Sequence, residues 1–136
     1  KSEESYIRKL KLIIENEIIP NISIYSSVND LQKKIKLIDE HKIFVLPSKR
    51  EAMPQVLIEA LARGKIVITS KTDGGKEIIE DNKTGFLFNI GDYKILPEVI
   101  QKNIKGNPKI QKNAEKEAKK YAWKNLIKQY ALLFNQ

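Results

Sequence analysis

The residues best suited to chemistry cluster in one stretch, "PSKREAMPQVLIEALARG", from Pro47 to Gly64. Two carboxylates, Glu51 and Glu59, stand eight residues apart, with Pro54 between them and Lys49 and Arg50 just ahead. Pro54 suits the first turn of a helix, where its missing N–H costs no hydrogen bond. Gln55, Val56 and Leu57 would then carry free backbone N–H groups at the positive end of the helix dipole. That combination holds phosphate without a dedicated side chain. Glu51 lies ahead of this end and Glu59 about a turn and a half inside the helix, and carboxylates accept hydrogen bonds from vicinal hydroxyls. The pattern therefore fits a molecule with a phosphate in its middle and polyols at both ends, as in a nucleotide-sugar. It also fits an ordinary amphipathic helix, because Glu near a helix start is favoured by the dipole alone. Spacing by itself leaves both readings open.

The elements around this stretch are those of an α/β protein. Ser2–Asn16 has helical spacing of Tyr6, Leu10, Ile13 and Ile14. "ISIY" (Ile22–Tyr25) predicts a short strand, and Asn29 or Asp30 caps a helix that runs to about Glu40. "KIFVL" (Lys42–Leu46), "KIVITS" (Lys65–Ser70) and "FLF" (Phe86–Phe88) are apolar runs that predict strands buried on both faces, the mark of a parallel sheet. Between them lie a helix from about Pro54 to Arg63, closed by Gly64 at C′, and a Gly74-Gly75 turn leading into a short helix through Ile79. Val56, Leu57, Ala60 and Leu61 form the sheet-facing side of the first of these helices, with Glu59 at its edge. Helices over about 93–103, 108–120 and 123–134 fill the rest. Alternating strands and helices predict a parallel sheet whose ligands sit beyond the carboxyl ends of the strands. The loops that matter are then 26–30, 47–54, 70–75 and 89–92.

Composition narrows the classes. The chain has 136 residues, 41% hydrophobic and 31% charged, which fits one globular domain. It has no cysteine and one histidine, His41, so thiolate metal sites and disulfides are excluded and a histidine-built metal site is not expected. No apolar run approaches the ~20 residues that span a bilayer, and no signal peptide is visible, so the expected compartment is the cytoplasm. The net charge of +8 is uneven: residues 1–100 carry 16 basic and 15 acidic side chains, residues 101–136 nine lysines and two glutamates. That basic tail suits an anionic membrane surface or nucleic acid, and equally a solvated helix face.

The ordered set "FVLPSKREAMPQVLIEALARGKIVITSKTDGGKEIIEDNKTGFLF" resembles the carboxyl-terminal half of retaining glycosyltransferases with the GT-B fold of two Rossmann-like domains, specifically family 4. The family has Pro-Ser at a strand end, Glu and a second Glu after seven residues, an Ala-x-x-x-Gly helix end, a buried strand, a Gly-Gly turn, then Glu-Ile-Ile and Thr-Gly. All occur here in order, over about Ile43 to Gly91, and "YAWKNLIKQYALLF" is similar to the family's closing helix. The resemblance implies that the chain is the donor-binding part of an enzyme that transfers a sugar from a nucleoside-diphosphate sugar, with retention, to a saccharide or lipid-linked acceptor. It implies that Glu51 is the catalytic contact to the donor hexose and Glu59 the contact to the ribose. Ser48, Met53, Pro54, Gln55 and Val56 match the segment facing the sugar and the distal phosphate. Gly74 and Gly75 match a turn that lets backbone approach the donor, or one that is simply tight. Ser26 to Val28 matches a loop near the base. No metal or other cofactor is expected beyond the donor itself.

Two features depart from the family. Ala52 and Pro54 stand where Gly is frequent, which puts the loop conformation in question. The family's carboxyl-terminal domain also opens with a strand, helix and strand ahead of the point where this sequence starts. That piece carries the Arg and Lys that clamp the diphosphate, and a separate amino-terminal domain holds the acceptor. Residues 1–136 thus correspond to a partial donor-binding domain, with about 108–136 as closing helices, and this stretch alone is expected not to catalyse transfer. Lys49, Arg50 and Arg63 are the candidates to replace the missing clamp. The alternatives are a Rossmann-like binding module without catalysis, and a basic domain that contacts nucleic acid or anionic membrane. On the glycosyltransferase reading the tail suits peripheral membrane contact at the inner face, and nucleic acid is not the expected partner.

Overall fold

The computed structural model describes residues 3–16, 21–25, 27–122 and 124–125. The chain divides into two compact units, the first ending at Lys34 and the second beginning at Ile35.

The first unit holds helix α1 (Glu3–Asn16), the segment 21–25 and the start of α2 (Leu31–Asp39). The Asp30 carboxylate accepts from the Lys33 N–H at 2.7 Å, which confirms Asp30 as the α2 cap. The predicted strand Ile22–Tyr25 does not form: those residues belong to no ladder among the described residues. A strand exists only where a neighbour takes its N–H and C=O groups, and apolar alternation cannot supply that neighbour. Tyr6, Leu12, Ile13, Ile22, Tyr25 and Leu31 stay 40% to 62% exposed, and none of the described apolar side chains of this unit is fully buried.

The second unit is a three-stranded parallel sheet in the order β1 (Ile43–Leu46), β2 (Ile66–Ser70), β3 (Phe86–Phe88). Ile43 pairs with Ile66 and Ile68 with Phe86, which aligns the carboxyl ends of the three strands. β2 is central, and all five of its residues are buried, as "KIVITS" predicts. β1 is only half-buried along its length, where full burial is expected from "KIFVL", because it pairs with a neighbour on one side only.

Helix α3 (Gln55–Ala62) places Leu57, Ala60 and Leu61 in a core shared with Val67 of β2, Ile78 and Ile79 at the end of α4 (Asp73–Ile78), and Ala114 and Ala118 of α6 (Pro108–Ala118). Alanine at those two α6 positions lets the helix approach α3 closely. Gly64, with φ of +62°, closes α3 at C′ as expected. A Cβ there would lie 2.5 Å from the Glu115 carboxylate, and the Gly64 carbonyl accepts from Gln111 Nε2 at 2.9 Å. Helix α5 (Leu96–Asn103) follows a 3₁₀ turn at Tyr93–Ile95. The expected closing helix 123–134 lies outside the described residues except at Lys124 and Asn125, which are helical. Among the described residues no helix is long and apolar enough to cross a membrane.

Candidate functional site

The three loops at the carboxyl ends of the strands are tied to one another. Ser70, the last residue of β2, donates its hydroxyl to the Ser48 carbonyl, and Thr69 Oγ1 donates to the Leu46 carbonyl at 2.9 Å. These bonds satisfy two buried hydroxyls and fix where the chain leaves β1. Further along, Gly74 N–H donates to the Glu51 carbonyl at 2.9 Å, and Lys71 N–H to the Phe88 carbonyl at 2.8 Å.

The loop 47–54 presents Glu51. Its side chain is half-buried, and Oε1 accepts from the Ser48 hydroxyl at 2.9 Å. Backbone and side chain of Glu51 are thus each held by a partner from the predicted set, Gly74 and Ser48. Gly74 is required because a Cβ at that position would sit 2.5 Å from the Ala52 carbonyl oxygen and 2.5 Å from Pro54 Cδ. Gly75 is required because its Cβ would sit 2.5 Å from the Ser70 carbonyl oxygen. The room left by both missing side chains is filled by protein: the two glycines lie in the first turn of α4 rather than in a turn ahead of it as expected, and they pack that helix against the Glu51 loop. Thr72 caps α4 by accepting the Gly75 N–H at 3.1 Å.

Helix α3 begins one residue later than expected. Pro54 is buried and occupies the N-cap, with no side-chain cap bond, and its carbonyl accepts the Leu57 N–H at 3.0 Å. The expected three free N–H groups therefore reduce to Gln55 and Val56, which head the helix beyond reach of any intrahelical carbonyl. Gln55 is exposed and Val56 half-buried, while Met53 is 50% exposed. Neither Ala52 nor Pro54 has a positive φ, so the loop accepts both residues without the backbone freedom of glycine. Glu59 is half-buried on α3, with Oε2 shielded from water. Val28 lies in the first unit, half-buried in an irregular segment, and Ser26 lies outside the described residues.

An open cleft of about 630 Å³ lies over this end of the sheet, with Lys49, Arg50 and Glu51 from the β1 loop, Lys71 and Asp73 after β2 and Ile90 after β3 on its walls. Lys71 and Ile90 are additions to the predicted site. Their loops were legible as the ends of strands, but no motif spacing singles out either residue. Arg63 does not belong here. It is the C-cap of α3, at the opposite end from Pro54, and its guanidinium makes a two-pronged ion pair with Asp39. That bond holds the Asp39 carboxyl below its ordinary pKa and raises the Arg63 guanidinium. His41 is exposed, with Nδ1 2.7 Å from the Leu37 carbonyl oxygen. Among the described residues no three His, Asp or Glu side chains converge as a metal site.

The family model for Glycosyl transferases group 1 matches residues 3–121. The chain belongs to the group 1 glycosyl transferases. Relatives in the group include the capsular polysaccharide biosynthesis glycosyltransferase CapM of Staphylococcus aureus, 34% identical over 62% of this chain and 22% of CapM. Another is the N,N'-diacetylbacillosaminyl-diphospho-undecaprenol alpha-1,3-N-acetylgalactosaminyltransferase of Campylobacter jejuni, 30% identical over 75% of this chain and 28% of that enzyme. The chain thus spans about a quarter of the length of these relatives.

Solved structures share the fold. The glycosyltransferase from Rickettsia africae superposes on 97% of this chain and 36% of its own, at 26% identity and a TM-score of 0.81. HepE of Anabaena, solved with UDP-glucose, covers 86% of this chain and 33% of its own, at 24% identity and a TM-score of 0.75. The architecture is therefore the Rossmann-like α/β fold found in GT-B glycosyltransferases.

Proposed function

We propose that this chain is the donor-binding part of a retaining family 4 glycosyltransferase, which moves a sugar from a nucleoside-diphosphate sugar to a saccharide or lipid-linked acceptor. The observation that carries the proposal is the seating of Glu51: a carboxylate oriented by Ser48, on a loop pinned by Gly74, just ahead of an uncapped helix start. In this reading the Gln55 and Val56 N–H groups and the positive end of α3 face the distal phosphate. Glu51 accepts from hexose hydroxyls, and its charge stabilises the cationic sugar as the bond to phosphate breaks. Glu59 accepts from the ribose hydroxyls, while Met53 and Pro54 shape the sugar side and Val28 belongs to the base side. Helix-end amides and basic side chains hold the diphosphate without a metal. Arg63 takes no part, and in this reading the clamp comes from residues outside this stretch rather than from Lys49 or Arg50, so residues 1–136 alone are expected to be inactive.

The relatives that act in polysaccharide and lipid-linked glycan assembly support this class of acceptor. The exposed lysines of α6, Lys109, Lys112 and Lys116, with Lys119 just beyond, suit peripheral contact at the cytoplasmic face of a membrane. The test is product stereochemistry. The full-length protein is given nucleoside-diphosphate sugars with saccharide or lipid-diphosphate acceptors, and the anomeric configuration of the product is read by NMR. Retention agrees with the proposal; an inverted product, or hydrolysis without transfer, overturns it.

A further inference from the structure

The cleft beside Glu51 is lined by three cations, and their placement is separate from the helix start that faces the diphosphate in the reading above. Lys49 and Arg50 come from the loop after β1 and Lys71 from the loop after β2. All three are exposed, and among the described residues none takes part in an ion pair. Two carboxylates share these walls: Asp73 is paired with Lys76 Nζ at 3.1 Å, while Glu51 accepts from the neutral Ser48 hydroxyl at 2.9 Å and keeps its charge, so the cations still outnumber the unpaired carboxylate. The Lys71 backbone is fixed by its bond to the Phe88 carbonyl, so its side chain starts from a rigid point at the end of the sheet. Three like charges in one concavity repel one another and raise the local concentration of anions. Pro54, Gln55 and Val56, at the head of α3, are not among the cleft's walls.

We propose that this cleft binds an oxyanion carried by a sugar substrate, a carboxylate or a phosphate distinct from the donor diphosphate, through Lys71 together with Lys49 and Arg50. The inference rests on the donor-site reading, since Glu51 then marks where the reacting hexose lies and the cations surround that hexose. Arg50 supplies a planar fork for a bidentate contact, and the two lysines supply point charges that follow the anion. The anion has two sources. On the donor it is the carboxylate of a uronic acid; on the acceptor it is a phosphate or an acidic sugar. In both cases an anionic substrate is preferred over its neutral counterpart.

Calorimetry on the full-length protein separates the sources and the readings. The titrants are UDP, UDP-glucose, UDP-glucuronate and glucose 1-phosphate, the last with and without saturating UDP, against wild type and Lys71→Gln. Gln at 71 keeps the backbone bond, and the side chain is exposed, so folding is expected to be unaffected. A donor-borne anion gives UDP-glucuronate about tenfold tighter than UDP-glucose, a preference lost in Lys71→Gln. An acceptor-borne anion gives glucose 1-phosphate binding to the UDP-loaded protein, weakened about tenfold by the same substitution. In both cases UDP affinity itself stays unchanged.

Equal losses for UDP and for the anionic sugar would assign the cations to the diphosphate and overturn the proposal. So would binding of neither anion, or anion binding indifferent to Lys71→Gln. Lys71-dependent uptake of glucose 1-phosphate by a protein that does not bind UDP would keep the oxyanion site and remove the nucleotide reading instead.

Discussion

Gly74→Ala tests how the candidate site is held. The substitution adds one methyl group, and that carbon would lie 2.5 Å from the Ala52 carbonyl oxygen and from Pro54 Cδ. Real Cβ atoms do not come within 3.0 Å of such neighbours, so α4 and the 51–54 loop must part by about 0.5 Å at least. Neither neighbour is a flexible side-chain tip: one is backbone and the other a proline ring at the N-cap of α3. Overpacking of this kind costs about 1–3 kcal/mol of stability. The Gly74 N–H bond to the Glu51 carbonyl, 2.9 Å, lengthens at the same time, and Glu51 moves with its loop. Displacing a reacting group by about 1 Å costs on the order of 100-fold in rate. The half-ångström shift is therefore expected to lower turnover by about tenfold. Thermal unfolding and a transfer assay on the full-length protein measure the two effects, with Glu77→Ala on the exposed side of the same helix as the control. A Gly74→Ala protein as stable and as active as Glu77→Ala would refute the packing argument.

Three other outcomes follow from the same geometry. Glu59→Ala is expected to weaken UDP binding about tenfold and to abolish the difference between UDP and 2′,3′-dideoxy-UDP, because the hydroxyls lose their acceptor; calorimetry reads both quantities. Leu61→Ala, in the core between α3 and α6, is expected to cost about 2–5 kcal/mol in chemical denaturation, since Leu61 has no exposed surface and its rigid neighbours cannot close the cavity. Asp39→Asn tests the surface ion pair through its pH dependence. The folded pKa of Asp39 is depressed by Arg63, so the contribution of the pair is present above the unfolded carboxylate value of about 4 and disappears as pH falls through the lower folded value. The difference in melting temperature between wild type and Asp39→Asn should thus shrink from pH 6 to pH 3, and a constant difference would contradict the assignment.

Features with local causes were legible in the sequence. The Asp30 cap, the Gly64 helix end and the fully buried run Ile66–Ser70 each follow from a residue's own backbone preference or from a continuous apolar stretch. The Glu51 loop and the Gly-Gly pair were legible as an ordered motif, but not that the glycines lie inside α4, nor what joins them to the loop. The Gly74 contact with Ala52 and Pro54 joins residues twenty-two and twenty apart, and only the sheet register brings them together. Partner-dependent features were misread. Among the described residues, Ile22–Tyr25 has a strand's apolar alternation and no ladder, and Ile43–Leu46 has a buried strand's composition at a sheet edge. Lys71 was hidden for a related reason: a lone lysine after a strand carries no signal until the fold sets it opposite Lys49 and Arg50.

The central claim is that Glu51 acts on the reacting sugar rather than merely completing a loop. Its most direct test is Glu51→Gln in the full-length protein, with turnover and donor dissociation constant measured side by side. Gln keeps the shape and can still pair with Ser48, but removes the charge that stabilises a cationic sugar. The expected result is a loss of about 100-fold or more in turnover, with donor affinity within a few-fold of wild type. Turnover that survives the substitution, or that falls only in step with donor binding, would contradict the account.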